Sequence, residues 1–372
     1  MRAYILIYVV LLICIALLWW GLLQRAGSAV GLNDSLWMVR LLPVVAAMGL
    51  TLLSANPGRV HAVFLLHVVM MEGLFLPAAL LWRALMREEP SFLRPIAALY
   101  RCGALPVLLA SVLLLYGWWN MYQIEQTAYT VYTEKDIRPE GYRVALISDV
   151  HYGVSLHREQ LRAVCADVTA AAPDLVILGG DLVDSSTTRQ GMEELFAELA
   201  AIESPLGSYY VYGNHDRPRP GQDFTAEQLR AAIQQNGIAI LQDEALPLAA
   251  DLLLTGREDR STGDRLPLQE IFAGHDPAKF LLVIDHQPTG YAENAAAGTD
   301  LLLSGHSHGG QLWPINWIDR FFQINDHNYG HTTVGPTQAI VSSGLAGWQY
   351  PLKTSAPAEY VVIDILPAPP SA

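Results

Sequence analysis

Tyr142-Arg143-Val144-Ala145-Leu146-Ile147-Ser148-Asp149-Val150-His151 decides the fold: an apolar run that ends abruptly in an acid and an imidazole. Residues 142–147 read as a strand buried on both faces. The same grammar recurs downstream. Residues 175–178 run into Gly179-Gly180-Asp181-Leu182-Val183-Asp184, and residues 209–212 into Gly213-Asn214-His215-Asp216. Residues 280–284 run into Asp285-His286, and residues 300–303 lead to Gly305-His306-Ser307-His308-Gly309-Gly310. Helical patterns at 158–171, 192–202 and 226–235 separate the early runs. That β-α-β-α-β rhythm predicts parallel pairing with crossover helices. Residues 252–254, 339–341 and 360–365 are also strand-like, with fewer helices between them. They predict a second sheet, mixed or antiparallel.

Five apolar strands that each end in Asp, Asn or His place those residues together, because ligands of α/β sheets bind beyond the carboxyl ends of strands. The residue types narrow the chemistry. Cys14, Cys102 and Cys165 lie outside this set and none has a CxxC partner, so a thiolate metal site and a disulfide scaffold are both excluded. Imidazole, carboxylate and carboxamide donors suit borderline divalent ions such as Mn, Fe or Zn. There are too many donors for one tetrahedral ion and enough for two. Asp181 has two oxygens with which to bridge a pair. Alternation in Asp149-x-His151 and His306-x-His308 predicts an extended strand end that points both members of each pair the same way.

These residues resemble the calcineurin-like metallophosphoesterases, whose pattern is D-x-H, G-D-x-x-D, G-N-H-[DE], a later H, and G-H-x-H. Each element stands here in that order, and the resemblance covers about residues 141–366. With Gly305–Gln311 and Val341-Ser342-Ser343-Gly344-Leu345, the chain is similar to a bacterial membrane-associated branch of that family. The resemblance implies an αββα fold, a two-sheet β-sandwich flanked by helices. It implies one ion on Asp149, His151, Asp181 and His308, and a second on Asp181, Asn214, His286 and His306. His215 is then the group that steadies the phosphoryl oxygens or protonates the leaving oxygen, and Asp184 orients it. The implied reaction is hydrolysis of a phosphomonoester or phosphodiester by metal-bound hydroxide. The alternatives are a pyrophosphatase acting on a UDP-linked lipid A precursor and a non-catalytic scaffold. The scaffold reading is disfavoured because every expected position is filled. Arg257 and Lys353 are candidate substrate-binding cations, although Arg257 could equally bridge to a neighbouring acid and Lys353 lacks the bidentate fork of Arg. His275, His327 and His331 are loop histidines that could line a pocket. Trp313, Trp317, Phe321 and Phe322 form an apolar insertion, either core or a lip that dips into a bilayer.

The first third of the chain is different material. The chain of 372 residues is 52% hydrophobic and 16% charged. Its formal net charge of −13 divides into +4 over residues 1–120 and −17 over the rest. An acidic distal part without a basic stripe excludes a phosphate-backbone grip on nucleic acid. Apolar stretches at 4–23, 37–54, 60–82 and 102–119 predict about four transmembrane helices. The 37–54 stretch is the weakest, since Arg40 interrupts it. The first is read as an uncleaved span rather than a signal peptide, although Ala26-Gly27-Ser28-Ala29 resembles a cleavage site. Trp19, Trp20, Trp37, Trp82, Trp118 and Trp119 cluster near span ends, as interfacial belts do. Arg83, Arg87, Arg94 and Arg101, with Arg25 and Arg40, outnumber Arg2 and Arg59 on the opposite side. With four spans, that bias places the distal domain outside the cytoplasm; if the 37–54 stretch does not span, the parity changes and the tail could face the cytoplasm. His67 and Glu72, five apart on one helix, read either as a functional intramembrane pair or, preferably, as a neutral or mutually hydrogen-bonded pair inside the bundle. The expected organisation is a membrane anchor over 1–120, a linker over 121–140, a catalytic domain over 141–366 and a frayed tail over 367–372.

Overall fold

The computed structural model describes residues 2–31, 37–54, 59–85 and 90–369, with the side chains of 2–9 and 37–41 excluded. Arg87 and residues 370–372 of the tail therefore lie outside the described residues, as do the side chains of Arg2, Trp37 and Arg40. The chain divides into two compact units, Met1–Tyr116 and Gly117–Ala372.

The first unit is helical. Arg2–Ala29, Trp37–Ser54, Val60–Leu85 and Arg94–Arg101 are helices, and Ala104–Met121 runs on into the second unit. Among the described residues, Val10–Ala29, Val60–Leu85 and Ala104–Met121 are long and apolar enough to cross a membrane, whereas the apolar part of the second helix, Leu42–Ser54, is shorter. Ile15, Trp19, Ala47, Val68 and Ala110 pack together at its centre. His67 and Glu72 do not bond to each other there. His67 Nδ1 lies 2.7 Å from the Val63 carbonyl oxygen one turn back. Glu72 accepts from Arg25 at 2.8 and 2.6 Å on its two oxygens. Arg25, expected in the first loop, lies instead within the first helix, which continues to Ala29.

The second unit holds twelve strands among the described residues: β1 (Ile124–Thr133), β2 (Tyr142–Ile147), β3 (Leu175–Leu178), β4 (Ser208–Tyr210), β5 (Ala239–Ile240), β6 (Glu244–Pro247), β7 (Leu252–Gly256), β8 (Phe280–Ile284), β9 (Leu301–Ser304), β10 (Gly330–Val334), β11 (Thr337–Val341) and β12 (Ala358–Pro367). They form two six-stranded sheets, ordered β1-β12-β2-β3-β4-β5 and β10-β11-β9-β8-β7-β6. In the first sheet, β2 to β5 are parallel and β12 runs antiparallel to β2. In the second, β7, β8, β9 and β11 are parallel, with antiparallel β6 and β10 at the edges. Both sheets are mixed, as expected for the second.

Alternation along each strand builds four layers. Val144 and Leu146 of β2 pack with Leu254, Phe280, Leu282 and Leu303 between the sheets. Ala145 and Ile147 face the other way, against Leu161, Leu195 and Leu229 of the flanking helices. Val283 and Leu302 pack outward on Leu268 and Tyr291. Burial on both faces is why these strands are uninterrupted apolar runs. Each fully buried Leu, Ile or Phe contributes about 1.5–3 kcal/mol, so the strand ends are held in a stiff frame.

Two differences from the sequence reading have local causes. The predicted 192–202 helix spans Arg189–Leu199, because the Thr188 side chain accepts from Gly191 N and starts it a turn earlier. Residues 124–133, read as linker, form β1, a ten-residue edge strand parallel to β12. Only Val131 and Thr133 of it are buried, so its apolar alternation is faint.

Candidate metal centre

The strand ends converge. Three groups each bring ligand atoms within 4.8 Å of one another: Asp149, His151 and His308; Asp181, His286 and His306; and His151, Asp184 and His215. These residues follow β2, β3, β4, β8 and β9, and all but His215 and His306 are buried.

The local backbone is not extended. Asp149, His151, Asp181, His306 and His308 all have positive φ, from 39° to 69°. The expected strand-like alternation is therefore incorrect, since each strand stops at Ile147, Leu178 or Ser304 before the site begins. Left-handed turns aim the side chains instead. Each such non-glycine residue costs about 1 kcal/mol or more, and clustered strain of this kind belongs to functional sites. Hydrogen bonds hold it in place. His306 N donates to both Asp149 oxygens at 2.9 and 3.1 Å, and His215 N donates to Asp181 Oδ1 at 2.7 Å. Gly305 is required where it stands, because a Cβ there would collide with Asp149 Oδ2.

Asp216 is the support that the sequence reading quoted but gave no role. Its Oδ2 accepts from Asp181 N at 2.6 Å and Gly213 N at 2.9 Å. Its Oδ1 accepts from Leu182 N at 2.9 Å and Val183 N at 3.0 Å. One buried carboxylate thus fixes the whole turn that carries Asp181.

The imidazoles are oriented by their outer nitrogens. His286 Nδ1 lies 2.8 Å from Gly179 O, His308 Nδ1 3.1 Å from Ala346 O, and His151 Nδ1 3.1 Å from Asp184 Oδ2. Carbonyl and carboxylate oxygens only accept, so each Nδ1 carries a proton and each Nε2 faces inward. His151 Nε2 and His308 Nε2 then face each other at 3.2 Å. His286 Nε2 lies 3.1 Å from Asp181 Oδ2, yet the geometry is not that of a hydrogen bond and the atom is buried without a partner. Asn214 Oδ1 is likewise buried without one. Imidazole nitrogens and carboxylates packed this closely require positive charge among them, and a set of inward-facing nitrogen, carboxylate and carboxamide donors fits divalent metal. Asp181 Oδ2 stands between the two groups, 3.1 Å from His286 Nε2 and 3.9 Å from His151 Nε2.

The electrostatics divide the rings. Despite burial, the Asp184 hydrogen bond and the Asp181 and Asp149 carboxylates raise His151 above the usual imidazole range, and Asp181 and Asp149 raise His286 well above it. Burial alone would raise the Asp184 carboxyl, but the hydrogen bond and charge of His151, with Ser185 and His215, together outweigh it and take it down to about 2. Burial pushes His308 down to about 3, and it lowers His306 and His215 as well. Those three rings are neutral at neutral pH.

His215 sits at the mouth, edge-on to His151 with ring centroids 5.0 Å apart and 5.4 Å from the Trp348 ring. Asp184 serves two rings rather than one: its hydrogen bond goes to His151, and His215 Nδ1 stands farther off at 3.5 Å. A cleft of about 160 Å³ opens here, lined by His215, Asn214, Trp348, Arg217 and Arg219 among others.

The two cations singled out from sequence lie elsewhere. Lys353 is wholly buried, with Nζ donating to Ser343 O at 2.5 Å and Gly344 O at 3.0 Å. Arg257 is also buried and is spent on Asp243, Glu293 and Leu266 O. Arg217 and Arg219 went unremarked, although the Gly213–Asp216 run leads straight into them. His275, His327 and His331 belong to none of the three groups; His331 is exposed on β10.

A four-layer sandwich with this site at its strand ends is the build of a metallophosphoesterase. Residues 142–310 match the family model of the calcineurin-like phosphoesterases, so this segment is a calcineurin-like phosphoesterase domain. Its relatives include an uncharacterized metallophosphoesterase of Helicobacter pylori, 29% identical over 60% of this chain and 60% of the relative. One from Aquifex aeolicus is 28% identical over 70% of this chain and 98% of its own length. A transmembrane protein with metallophosphoesterase domain from Danio rerio is 27% identical over 70% of this chain and 62% of its own. The match thus spans about three-fifths of the Helicobacter and Danio proteins. Among solved structures, a dimetal phosphatase from Danio rerio aligns with 62% of this chain and 94% of its own, at 13% identity and a TM-score of 0.39.

Proposed function

We propose that the chain is a membrane-anchored phosphoric ester hydrolase that works with two divalent ions. The observation that carries this is the set of inward-facing Nε2 atoms grouped around Asp149 and Asp181, with His151 and His308 opposed at 3.2 Å. Asp149, His151, Asp181 and His308 would hold one ion; Asp181, Asn214, His286 and His306 the other, with Asp181 shared. Imidazole, carboxylate and carboxamide donors suit Mn, Fe or Zn. Two such ions supply Lewis acidity, neutralising phosphoryl charge and acidifying a water.

The chain's own groups do the rest. Asp184, Gly179 O and Ala346 O keep the proton of each ligand ring on its outer nitrogen. Asp216 keeps Asp181 in its left-handed turn. His215, with Nδ1 toward Asp184, offers its other nitrogen to the phosphoryl or leaving oxygen. Arg219 and Arg217 line the mouth, Arg217 paired with Glu258, and Arg219 offers a cation there to a phosphomonoester or phosphodiester. Lys353 and Arg257 are structural rather than substrate-binding.

The direct test uses the full chain in lipid nanodiscs, stripped by chelator and titrated with Mn²⁺, Fe²⁺ or Zn²⁺. Bis-p-nitrophenyl phosphate and p-nitrophenyl phosphate are the substrates, with Asp181→Asn alongside. Metal-dependent turnover that disappears in the variant is expected. Turnover without metal, or turnover that survives Asp181→Asn, would refute the reading.

We further propose a multi-pass membrane protein in which the shorter Trp37–Ser54 helix also crosses, so that the arginine-rich first and third loops share the cytoplasmic side and the catalytic domain is extracytoplasmic. Gln190→Cys should then react with a membrane-impermeant maleimide in intact cells. Reaction only after lysis would reverse the orientation.

A further inference from the structure

The helix Ile315–Phe322 is turned the wrong way round for a water-soluble domain. Phe321 is 81% exposed, Trp317 and Phe322 68% each, and Ile315 and Ile318 are exposed too. Its polar side faces inward. Asp319 is buried and accepts from Asn325 N at 3.0 Å and Asn325 Nδ2 at 2.7 Å. Asn316 Oδ1 accepts from Asn328 Nδ2 at 3.0 Å. The expected alternatives for this insertion were core or lip, and these exposures exclude core.

Its place in the second unit says what covers it. Trp313 N donates to Thr354 Oγ1 at 2.7 Å, and Thr354 N donates to Gln311 O at 2.7 Å. The neighbouring Lys353 N donates to Gly117 O at 3.0 Å. Asn120 Nδ2 donates to Lys353 O at 3.0 Å and Ala356 O at 2.9 Å. Residues 353–356 are therefore clamped between the root of the apolar helix and the last turn of Ala104–Met121. That turn ends a segment long and apolar enough to span a membrane. It carries Trp118 and Trp119, both more than half exposed, as a helix end at the lipid interface does. The apolar helix and the exit from the bilayer thus share one edge of the domain.

We propose that Ile315–Phe322 is an in-plane interfacial anchor, with Trp317, Phe321 and Phe322 inserted into the bilayer that the chain's own helices cross. The inference rests on the membrane reading of Ala104–Met121. Its consequence concerns the site. The helix begins a few residues after His308, and Gln311 Nε2 donates to Trp348 O at 3.0 Å beside His215. The anchored edge is thereby continuous with the mouth of the cleft.

Depth-dependent quenching tests this without any need for activity. In a full chain lacking Cys14, Cys102 and Cys165, single cysteines at Phe321→Cys, Val112→Cys and Gln190→Cys would carry an NBD fluorophore. The proteins go into phosphatidylcholine nanodiscs with or without doxyl-labelled phosphatidylcholine. The label at 321 should lose about half its emission to the doxyl lipid, as the one at 112 does, while that at 190 is unaffected. Trp317→Cys gives an independent position should Phe321→Cys fold poorly. Quenching at 112 with 321 behaving like 190 overturns the anchor but leaves the membrane reading standing. No quenching at 112 overturns the membrane reading and the anchor with it. A label at 321 that is shielded from water but unquenched, and more so at higher protein-to-disc ratio, would assign the face to a second copy and also overturn the proposal.

Discussion

Asp216→Asn is nearly isosteric, touches no candidate ligand atom, and should still be among the most damaging substitutions in the domain. The wild-type carboxylate accepts four backbone N–H groups, two on each oxygen. An asparagine has one oxygen. Whichever way its amide is turned, one pair of N–H groups faces an NH₂ instead, either Asp181 with Gly213 or Leu182 with Val183. Each buried donor left without an acceptor costs about 1–3 kcal/mol, so the pair costs about 4 kcal/mol. For a domain of this size that lowers the melting temperature by about 8–16 °C. The turn that relaxes carries Asp181, so bound metal should fall as well. Scanning calorimetry of the full chain in nanodiscs, beside the wild type, reads the first effect. A drop of less than about 3 °C would show that Asp216 is not the acceptor described here, and the account of how Asp181 is held would fail with it.

Lys353 gives a pH dependence of defined sign. Burial pulls its ammonium down to about 7, against the opposing pull of Glu359 and Asp149. Between pH 7 and its ordinary value, the unfolded chain binds a proton that the folded chain does not. Its contribution to stability therefore rises with pH across that window, by up to about 1.4 kcal/mol per unit. The stability of wild type relative to Lys353→Met should increase by about 2 kcal/mol from pH 7 to 9, and a flat difference would contradict it. Gly344, at φ 79°, packs directly on Asp149. Gly344→Ala should lower metal affinity about 10–100-fold by equilibrium dialysis, and unchanged affinity would count against the contact. Cys165 is buried and its thiol is pushed up to about 12. It should resist maleimide at pH 8 until the protein is denatured, as mapped by peptide mass spectrometry; rapid labelling of the folded chain would contradict that burial.

Much of the site was legible because it obeys a rule a sequence can display: an apolar strand buried on both faces, then a polar donor. β2, β3 and β8 were read with their observed boundaries for that reason. What could not be read was conformation without periodicity. Nothing in Asp149-x-His151 says that both residues adopt left-handed turns, since extended residues would have the same letters. β1 escaped because an edge strand buries few side chains and its alternation is weak. Arg219 was passed over for Arg257 and Lys353 because exposure is a property of the fold, and only the fold shows which cations are already spent, as Arg217 is on Glu258. Asp216 carried a signal, as the fourth residue of Gly213-Asn214-His215-Asp216. Its role depends on four N–H groups from two separate turns, which no local pattern reveals. The Ile315–Phe322 helix has an amphipathic sequence, but the side that faces out could be learned only from where Asp319 and Asn316 find their partners.

The account's central claim is that two ions share Asp181. Its most direct test is the metal content of the full-length protein by inductively coupled plasma mass spectrometry, after saturation with Mn²⁺ and removal of free ion. The account predicts two ions per chain in the wild type, and loss of at least one in Asp181→Asn with the fold intact by circular dichroism. A single ion in the wild type, or two ions retained when Asp181 is replaced, would contradict it.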